Sequence, residues 1–377
     1  ILERYAERPA QPVTLRQLVV FGRTLDENRL IRSANYVRTE LPVRLAHRIR
    51  DFQRLPYIVG VNRHIATAYG LYWRAFDAFR RMPVINNMEE NREFCRLVEE
   101  QIREHLVVIP QLAMGVRECR SYFAAGEADT FMNAALRSRV SRRVLAEQHL
   151  ALTRQFEEEC SAGESLGNSR YIGLIDSRCC AGHLVARCVR TAAQLTRREL
   201  HPQGSNDPTP AVMVPRVIVD GHLATTFACI PDHVEYALHE LLRNSMRATI
   251  LHHRDQASGS NSGPVPLPPI RVTVAEGPAD LIFRVSDQGG GIRGDCAQLW
   301  HFGREGFRAF ENVHQLAGKV GEEAALPGVR LGIGLLMARV YAEYWGGGLD
   351  LQSMPGWGVD AHLRVSKLGN RVENLAS

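Results

Sequence analysis

The chain has 377 residues, 46 Lys plus Arg against 41 Asp plus Glu, a formal net charge of +5 and 45% hydrophobic residues. At about 150 residues per domain this length gives roughly two domains, each with enough apolar material for a core. No run of about 18 apolar residues exists, which excludes a membrane-spanning helix, and the small scattered charge excess excludes a plain nucleic-acid footprint.

From Thr14 to Leu195 the chain reads as long helices with few glycines and prolines. Ile31–Phe52 spaces its apolar residues three and four apart with arginines on the other face, and Glu93–Cys119 and Ala134–Phe156 behave alike. With no internal repeat, these helices predict an N-terminal helix bundle over residues 1–200. The eight cysteines (Cys95, Cys119, Cys160, Cys179, Cys180, Cys188, Cys229 and Cys296) contain no C-x-x-C pair. That spacing speaks against structural zinc, and free thiols in a reducing compartment are expected.

After the polar linker His201–Pro210 the pattern changes. Arg216–Val219, Ile270–Val274, Leu281–Val285 and His362–Val365 read as strands, with helices at Asp232–Leu251 and Gly334–Trp345. Residues 211–377 are therefore expected to form a mixed α/β domain, with the boundary near 196–212. Ala257–Pro269 reads as a surface loop, and the glycine-spotted His301–Gly328 as a mobile flap.

Three segments carry candidate chemistry. Asp287–Ile292 (DQGGGI) follows a strand. Its glycines let backbone approach a ligand, and its carboxylate can accept from an exocyclic amine such as that of adenine. Alone, the segment reads equally well as a tight turn capped by Asp287. Gly328–Leu335 (GVRLGIGL) leads into a helix and offers first-turn N–H groups to phosphate, or is simply a flexible helix start. On Asp232–Leu251, Val234, Leu238, Leu241, Ser245 and Ala248 share one face, while Glu240, Arg243, Asn244 and Arg247 cluster elsewhere within about 100° of arc. Taken by itself that polar cluster is a solvated face. Asn244, however, is a poor helix former able to ligate Mg²⁺ beside phosphate oxygens, and Glu240 can take a proton from a hydroxyl.

In this order the three segments resemble the Bergerat-type ATPases: histidine kinases, Hsp90-like chaperones and gyrase-like ATPases. More closely, the chain is similar to the mitochondrial kinases of 2-oxoacid dehydrogenase complexes. The anchors are Glu40–Ile49 (ELPVRLAHRI), Leu55–Gly60 (LPYIVG), Leu71–Phe76 (LYWRAF), Glu240–Thr249 (ELLRNSMRAT), Ser286–Ile292 (SDQGGGI) and Tyr341–Asp360. The resemblance implies a helix bundle followed by a histidine-kinase-like α/β sandwich that binds ATP. It implies Glu240 as general base with Arg243 beside it, Asn244 as Mg²⁺ ligand, and Arg247 holding the nucleotide. Asp287 would read adenine with room given by Gly289 and Gly291, next to Ile292. Gly332, Gly334 and Leu335 would belong to the phosphate-covering flap and helix start. The implied reaction is phosphorylation of a serine on the decarboxylase alpha subunit by MgATP, with K⁺ as a further cation, which switches the complex off. Docking on a lipoyl domain of the acyltransferase core, a homodimer and a mitochondrial-matrix location come with it. The start at Ile1 rather than Met fits loss of a presequence.

Arg139 and Arg143, one turn apart, match a pair that binds small carboxylate inhibitors in the family, and His105 matches another member of that pocket. An exposed basic stripe is the plainer reading. On the branch, Tyr236 and the helical anchors are most similar to the branched-chain kinase, while Tyr171–Cys179 is more like the pyruvate kinases; the expectation is the branched-chain complex, with the pyruvate complex as alternative. Four departures from the family pattern concern nucleotide affinity: Arg243 for Lys, Arg330 at a flap glycine, Val359 for Thr, and His301–Phe310 in place of a Ser/Thr-rich stretch. They support a second reading, a catalytically weak nucleotide-binding regulatory subunit. A histidine autokinase would need a phospho-accepting motif, and none surrounds His149.

Overall fold

The computed structural model describes residues 1–162, 170–200, 213–257, 266–292, 294–302 and 333–375. The chain divides into two compact units. Among described residues the first takes 1–177, Phe302 and 372–375, and the second takes 178–301 and 333–371.

The first unit is helical: α1 (Leu2–Ala6), α2 (Leu15–Gly22), α3 (Glu27–Gln53), α4 (Tyr57–Gly60), α5 (Arg63–Arg81), α6 (Met88–Glu104), α7 (Val108–Glu118) and α8 (Glu127–Ala162). Their starts are written in the sequence. Thr14 and Gln17 form a capping box on α2, and Asp26, Asn62 and Asn87 accept from first-turn N–H groups of α3, α5 and α6. The single helix expected over Glu93–Cys119 is two, broken by a 3₁₀ turn at His105–Val107. Pro110 lacks an N–H to bond back to Leu106, so it is accommodated in the first turn of a new helix rather than inside a continuous one. Leu45, Ile49, Ile65, Tyr72, Phe76, Phe94, Leu112 and Met132 fill the core.

One buried ion cluster ties this unit together. Arg44 donates to Glu40 at 3.0 Å and, through both terminal nitrogens, to Glu373 at 3.0 and 2.7 Å. Glu373 also joins the backbone of Val13 in both directions, which fixes the last described residues to the start of α2.

In the second unit a five-stranded sheet runs in the order β3 (Val217–Gly221), β5 (Ile270–Glu276), β6 (Asp280–Ser286), β8 (Gly358–Ser366), β7 (Gly348–Met354). The β3–β5 pair is parallel and the others antiparallel. Strand alternation explains the one-sided cover: Ile270, Val272, Val274, Leu281, Phe283 and Val285 are fully buried, while Arg271 and Arg284 point the other way. On the apolar face lie α9 (Ala181–Leu200), α10 (Pro231–Ala257) and α11 (Gly334–Tyr344). β1 (Tyr171–Ile172) and β2 (Ile175–Cys180) form a short antiparallel hairpin at the end of the first unit, and β4 (Thr226–Cys229) is a further strand of the second.

The expected class, a helical region followed by an α/β sheet domain, is borne out. The boundary is not where composition puts it. It falls at Ser177/Arg178, so α9, assigned to the bundle by its helical period, belongs to the sheet unit. There Leu184, Val185, Cys188 and Ala192 share a core with Leu238, Leu241 and Leu242 of α10. An amphipathic period says that a helix needs an apolar partner and not which partner. All eight cysteines are free, and no helix among the described residues is long and apolar enough to cross a membrane. The linker 201–212, loop residues 258–265 and flap residues 303–332, including Gly332 and Arg330, lie outside the described residues.

Candidate functional site

Asp287 is delivered by the end of β6, where Ser286 pairs with Asp360 of β8 and the Asp287 N–H bonds to the Val359 carbonyl at 3.0 Å. Its carboxylate is 7% exposed and held from three directions. Oδ1 accepts from the Gly289 N–H at 2.9 Å and the Val359 N–H at 3.2 Å, and Oδ2 accepts from the Ser245 hydroxyl of α10 at 2.7 Å. A carboxylate has about four lone-pair directions, so one on Oδ2 remains for an outside donor. Burial pushes the carboxyl above its ordinary pKa, and the bonds from Ser245, Gly289 and Val359 pull it back.

The glycines after it answer to protein neighbours. A Cβ on Gly289 would come 2.6 Å from the Ala248 Cβ on α10, so only glycine lets the loop lie against that helix. Gly291 sits at φ +74°, where a Cβ would press on the Met354 carbonyl. The expectation that these two positions make room for a base is therefore narrowed: their immediate neighbours are α10 and the β7–β8 turn. The Ile292 N–H is tied to Ser353 Oγ at 2.8 Å.

On α10, Glu240, Arg243, Asn244 and Arg247 stay off the core, whereas Leu238, Leu242, Met246 and Thr249 are fully buried. Arg243 lies 3.4 Å from both Glu240 and Glu199, bridging Glu240 to α9. Asn244 is exposed, and neither its amide nor the Arg247 guanidinium bonds to any described residue. Gly334 opens α11 directly against Glu240, since a Cβ there would overlap the Glu240 carboxylate. Leu335 follows, half-buried on the core. Among described residues no side chain caps the start of α11, and its first-turn N–H groups have no partner within the helix.

The structure thus sets Asp287 against α10 at Ser245, the residue after Asn244, and Gly334 against Glu240 about a turn earlier. Ser245 is the functional residue that sequence reasoning places with the apolar face. The usable signal is a lone hydroxyl on a buried stripe, which must find an acceptor. Val359 also differs from its expected meaning: where the sequence suggests a missing hydroxyl, its backbone N–H supports Asp287. Among described residues no group of three or more His, Cys, Asp or Glu could hold a metal.

The second constellation lies in the helical unit. Arg139, Arg143 and His105 line one small cavity of about 50 Å³, with Arg142 among them and Leu45, Phe79 and Val108 as apolar wall. His105 is held neutral, its pKa pushed down to about 3 by burial and then by Arg142. Its Nε2–H donates to the Leu71 carbonyl at 3.2 Å. Arg143 is engaged by Glu147.

Comparison with known proteins agrees with this geometry. Residues 12–176 match the family model of the mitochondrial branched-chain alpha-ketoacid dehydrogenase kinase, and residues 229–368 match that of the histidine kinase-, DNA gyrase B- and HSP90-like ATPases. The chain is 28% identical to pyruvate dehydrogenase (acetyl-transferring) kinase 2, mitochondrial, of Saccharomyces cerevisiae, over all of this chain and 85% of the relative. The mitochondrial pyruvate dehydrogenase kinase of Arabidopsis thaliana is 29% identical over 96% of this chain and 92% of its own length. For mouse isozyme 3 the identity is 28% over 98% and 84%. Across both units the chain is similar to the mitochondrial 2-oxoacid dehydrogenase kinases, protein kinases built on a Bergerat-type ATPase domain.

Proposed function

We propose that this chain is the matrix kinase of a pyruvate dehydrogenase complex, which it switches off by phosphorylating a serine of the decarboxylase alpha subunit. The observation that carries the nucleotide half of this reading is Asp287: a buried carboxylate held by Ser245, Gly289 and Val359 with one acceptor direction left over. Ser245, which holds it, is next in sequence to Asn244, whose amide bonds to no described residue. The branched-chain expectation gives way to its alternative. The relatives above carry pyruvate dehydrogenase kinase names, whereas Tyr236 is a single position whose ring packs edge-on against Tyr341 at 5.2 Å.

The residues present fit MgATP. Asn244 Oδ1 would hold Mg²⁺, which favours an amide oxygen beside phosphate oxygens and needs no carboxylate cage. When bound, the ion neutralises phosphate charge. Asp287 accepts from the adenine amine, Arg247 pairs with phosphate, and the first-turn N–H groups of α11 add donors. Glu240 accepts the proton of the serine hydroxyl as its oxygen forms the new bond to the γ-phosphorus and the bond to the ADP oxygen breaks. Arg243 orients Glu240 from 3.4 Å. Arg139, Arg143 and His105 take a small carboxylate that regulates the kinase; lipoyl-domain docking, homodimer formation and a K⁺ requirement complete the reading.

The test is transfer of label from MgATP to the decarboxylase components of the pyruvate and branched-chain complexes, beside Glu240→Gln, in K⁺ and in Na⁺. Alkali-labile, acid-stable label on the pyruvate component, absent with Glu240→Gln, is expected. Nucleotide binding without transfer to either component would leave the regulatory-subunit reading instead.

A further inference from the structure

The cavity in the helical unit holds a charge that its other residues do not explain. Arg142 is 9% exposed, and its bonds all go to neutral groups. Nε donates to the Ser138 carbonyl at 3.1 Å, Nη2 to the Tyr72 hydroxyl at 2.9 Å, and Nη1 reaches His105 Nδ1 at 3.4 Å. The guanidinium also lies 4.6 Å from the centroid of the Tyr72 ring. Because His105 spends its Nε2–H on Leu71, its Nδ1 is the acceptor and the ring brings no negative charge. Among the described residues no carboxylate pairs with Arg142.

Such a charge is costly. A buried ion without a counter-ion loses several kcal/mol of hydration that hydrogen bonds to neutral groups only partly restore, and a leucine of similar reach would avoid the loss. On α8, Arg139, Arg142 and Arg143 fall within about 100° of arc. Glu147 answers Arg143. A monocarboxylate bridging Arg139 and Arg143 would leave Arg142 as it is.

We propose that Arg142 makes this pocket a site for a short dicarboxylate, a dianion of about oxalate size, and selects it over a monocarboxylate. This rests on the reading of Arg139, Arg143 and His105 as a carboxylate site and names its ligand class. One carboxylate engages Arg139 and Arg143, and the other meets Arg142, with the Tyr72 hydroxyl released to rotate towards the incoming oxygen. The size follows from the cavity, about 50 Å³, room for roughly three to five waters at about 10–15 Å³ each. Apart from Gln101 the rest of the wall is apolar, which disfavours a longer polar chain.

The experiment titrates the full chain with sodium oxalate and with sodium acetate at constant ionic strength, by calorimetry and thermal melting, for wild type, Arg142→Leu and Arg139→Met. The expected result is that wild type binds oxalate at least about tenfold more tightly than acetate. Arg142→Leu brings the ratio near one and melts higher than wild type without ligand, while Arg139→Met weakens both. That higher melt also shows that the leucine variant is folded. Acetate binding with no oxalate preference, or a preference that survives in Arg142→Leu, overturns the role of Arg142 and leaves the carboxylate site standing. No binding of either anion overturns both.

Discussion

The substitution Asp287→Asn separates what this residue does for the fold from what it does for the nucleotide. The two side chains have the same shape. The amide oxygen can still accept from the Gly289 and Val359 N–H groups, now at 2.9 and 3.2 Å. The new NH₂ would face Ser245 Oγ, at present 2.7 Å away, and a hydroxyl can turn from donor to acceptor. The local network is therefore kept with one bond reversed, while the free acceptor direction becomes a donor that faces a donor. A hydrogen bond to a charged group is worth about 1.5–3 kcal/mol, so ATP affinity should fall about 10- to 150-fold. Stability should move the other way. The Asp287 carboxyl is raised above its ordinary value of 3.8, first by burial. With the folded pKa above the unfolded one, the ionised form costs stability at neutral pH, and the cost disappears as pH falls below the unfolded pKa. The neutral amide removes that cost at about pH 7, so the variant without nucleotide should melt no lower than wild type. Calorimetric titration with a non-hydrolysable ATP analogue and a thermal melt read the two effects. Affinity within about threefold of wild type would refute the assignment of the free lone pair to adenine. Unchanged affinity with a large drop in melting temperature would make Asp287 a purely structural turn residue.

Gly289→Ala puts a methyl 2.6 Å from the Ala248 Cβ and 2.9 Å from its carbonyl carbon. Such overpacking should cost about 1–3 kcal/mol, read as a lower denaturation midpoint and weaker nucleotide binding together. Glu373→Ala removes a fully buried carboxylate that pairs with Arg44, itself 3% exposed, and leaves Arg44 its bonds to Glu40 and to the Gln11 and Ser141 carbonyls. A loss of about 3–5 kcal/mol is expected in the unfolding of the helical unit, and Glu373→Gln, which keeps the volume, should lose nearly as much if charge is the cause. His149 is buried between Ser33 and Asn91, each at 3.0 Å, with a pKa lowered from 6.5 to about 4 by burial. Its neutral form stabilises the fold above about pH 6.5, and that stability is lost as pH falls towards 4, by about 3 kcal/mol at roughly 1.36 kcal/mol per unit. Denaturant midpoints across about pH 4–7.5 should show the fall, and His149→Gln should flatten part of it.

The parts of this molecule that are legible in its sequence are those set by short-range patterns. Helix α10 shows its polar cluster at 3.6-residue spacing, and β5 and β6 show their alternation, because both depend only on which way consecutive side chains point. The partner of α9 depends on tertiary contact, and periodicity carries no information about it. Strand β7 (GLDLQSM) has weak β propensity and is held by its ladder to β8 rather than by its own residues. Ser245 and Arg142 are hard to see in the sequence for a shared reason. Judged by helix face alone, one belongs to the apolar stripe and the other is a third arginine between two better-placed ones. Their meaning lies in groups 42 and 70 residues away, the Asp287 carboxylate and the Tyr72 hydroxyl. A buried polar side chain must find its partner somewhere, so a hydroxyl on a core stripe or a third arginine on a packed arc already implies a distant acceptor. For Ser245 the fold supplies an anionic one. For Arg142 it supplies only neutral ones among the described residues, and that difference is what distinguishes a finished structural network from a site that still has a ligand to bind.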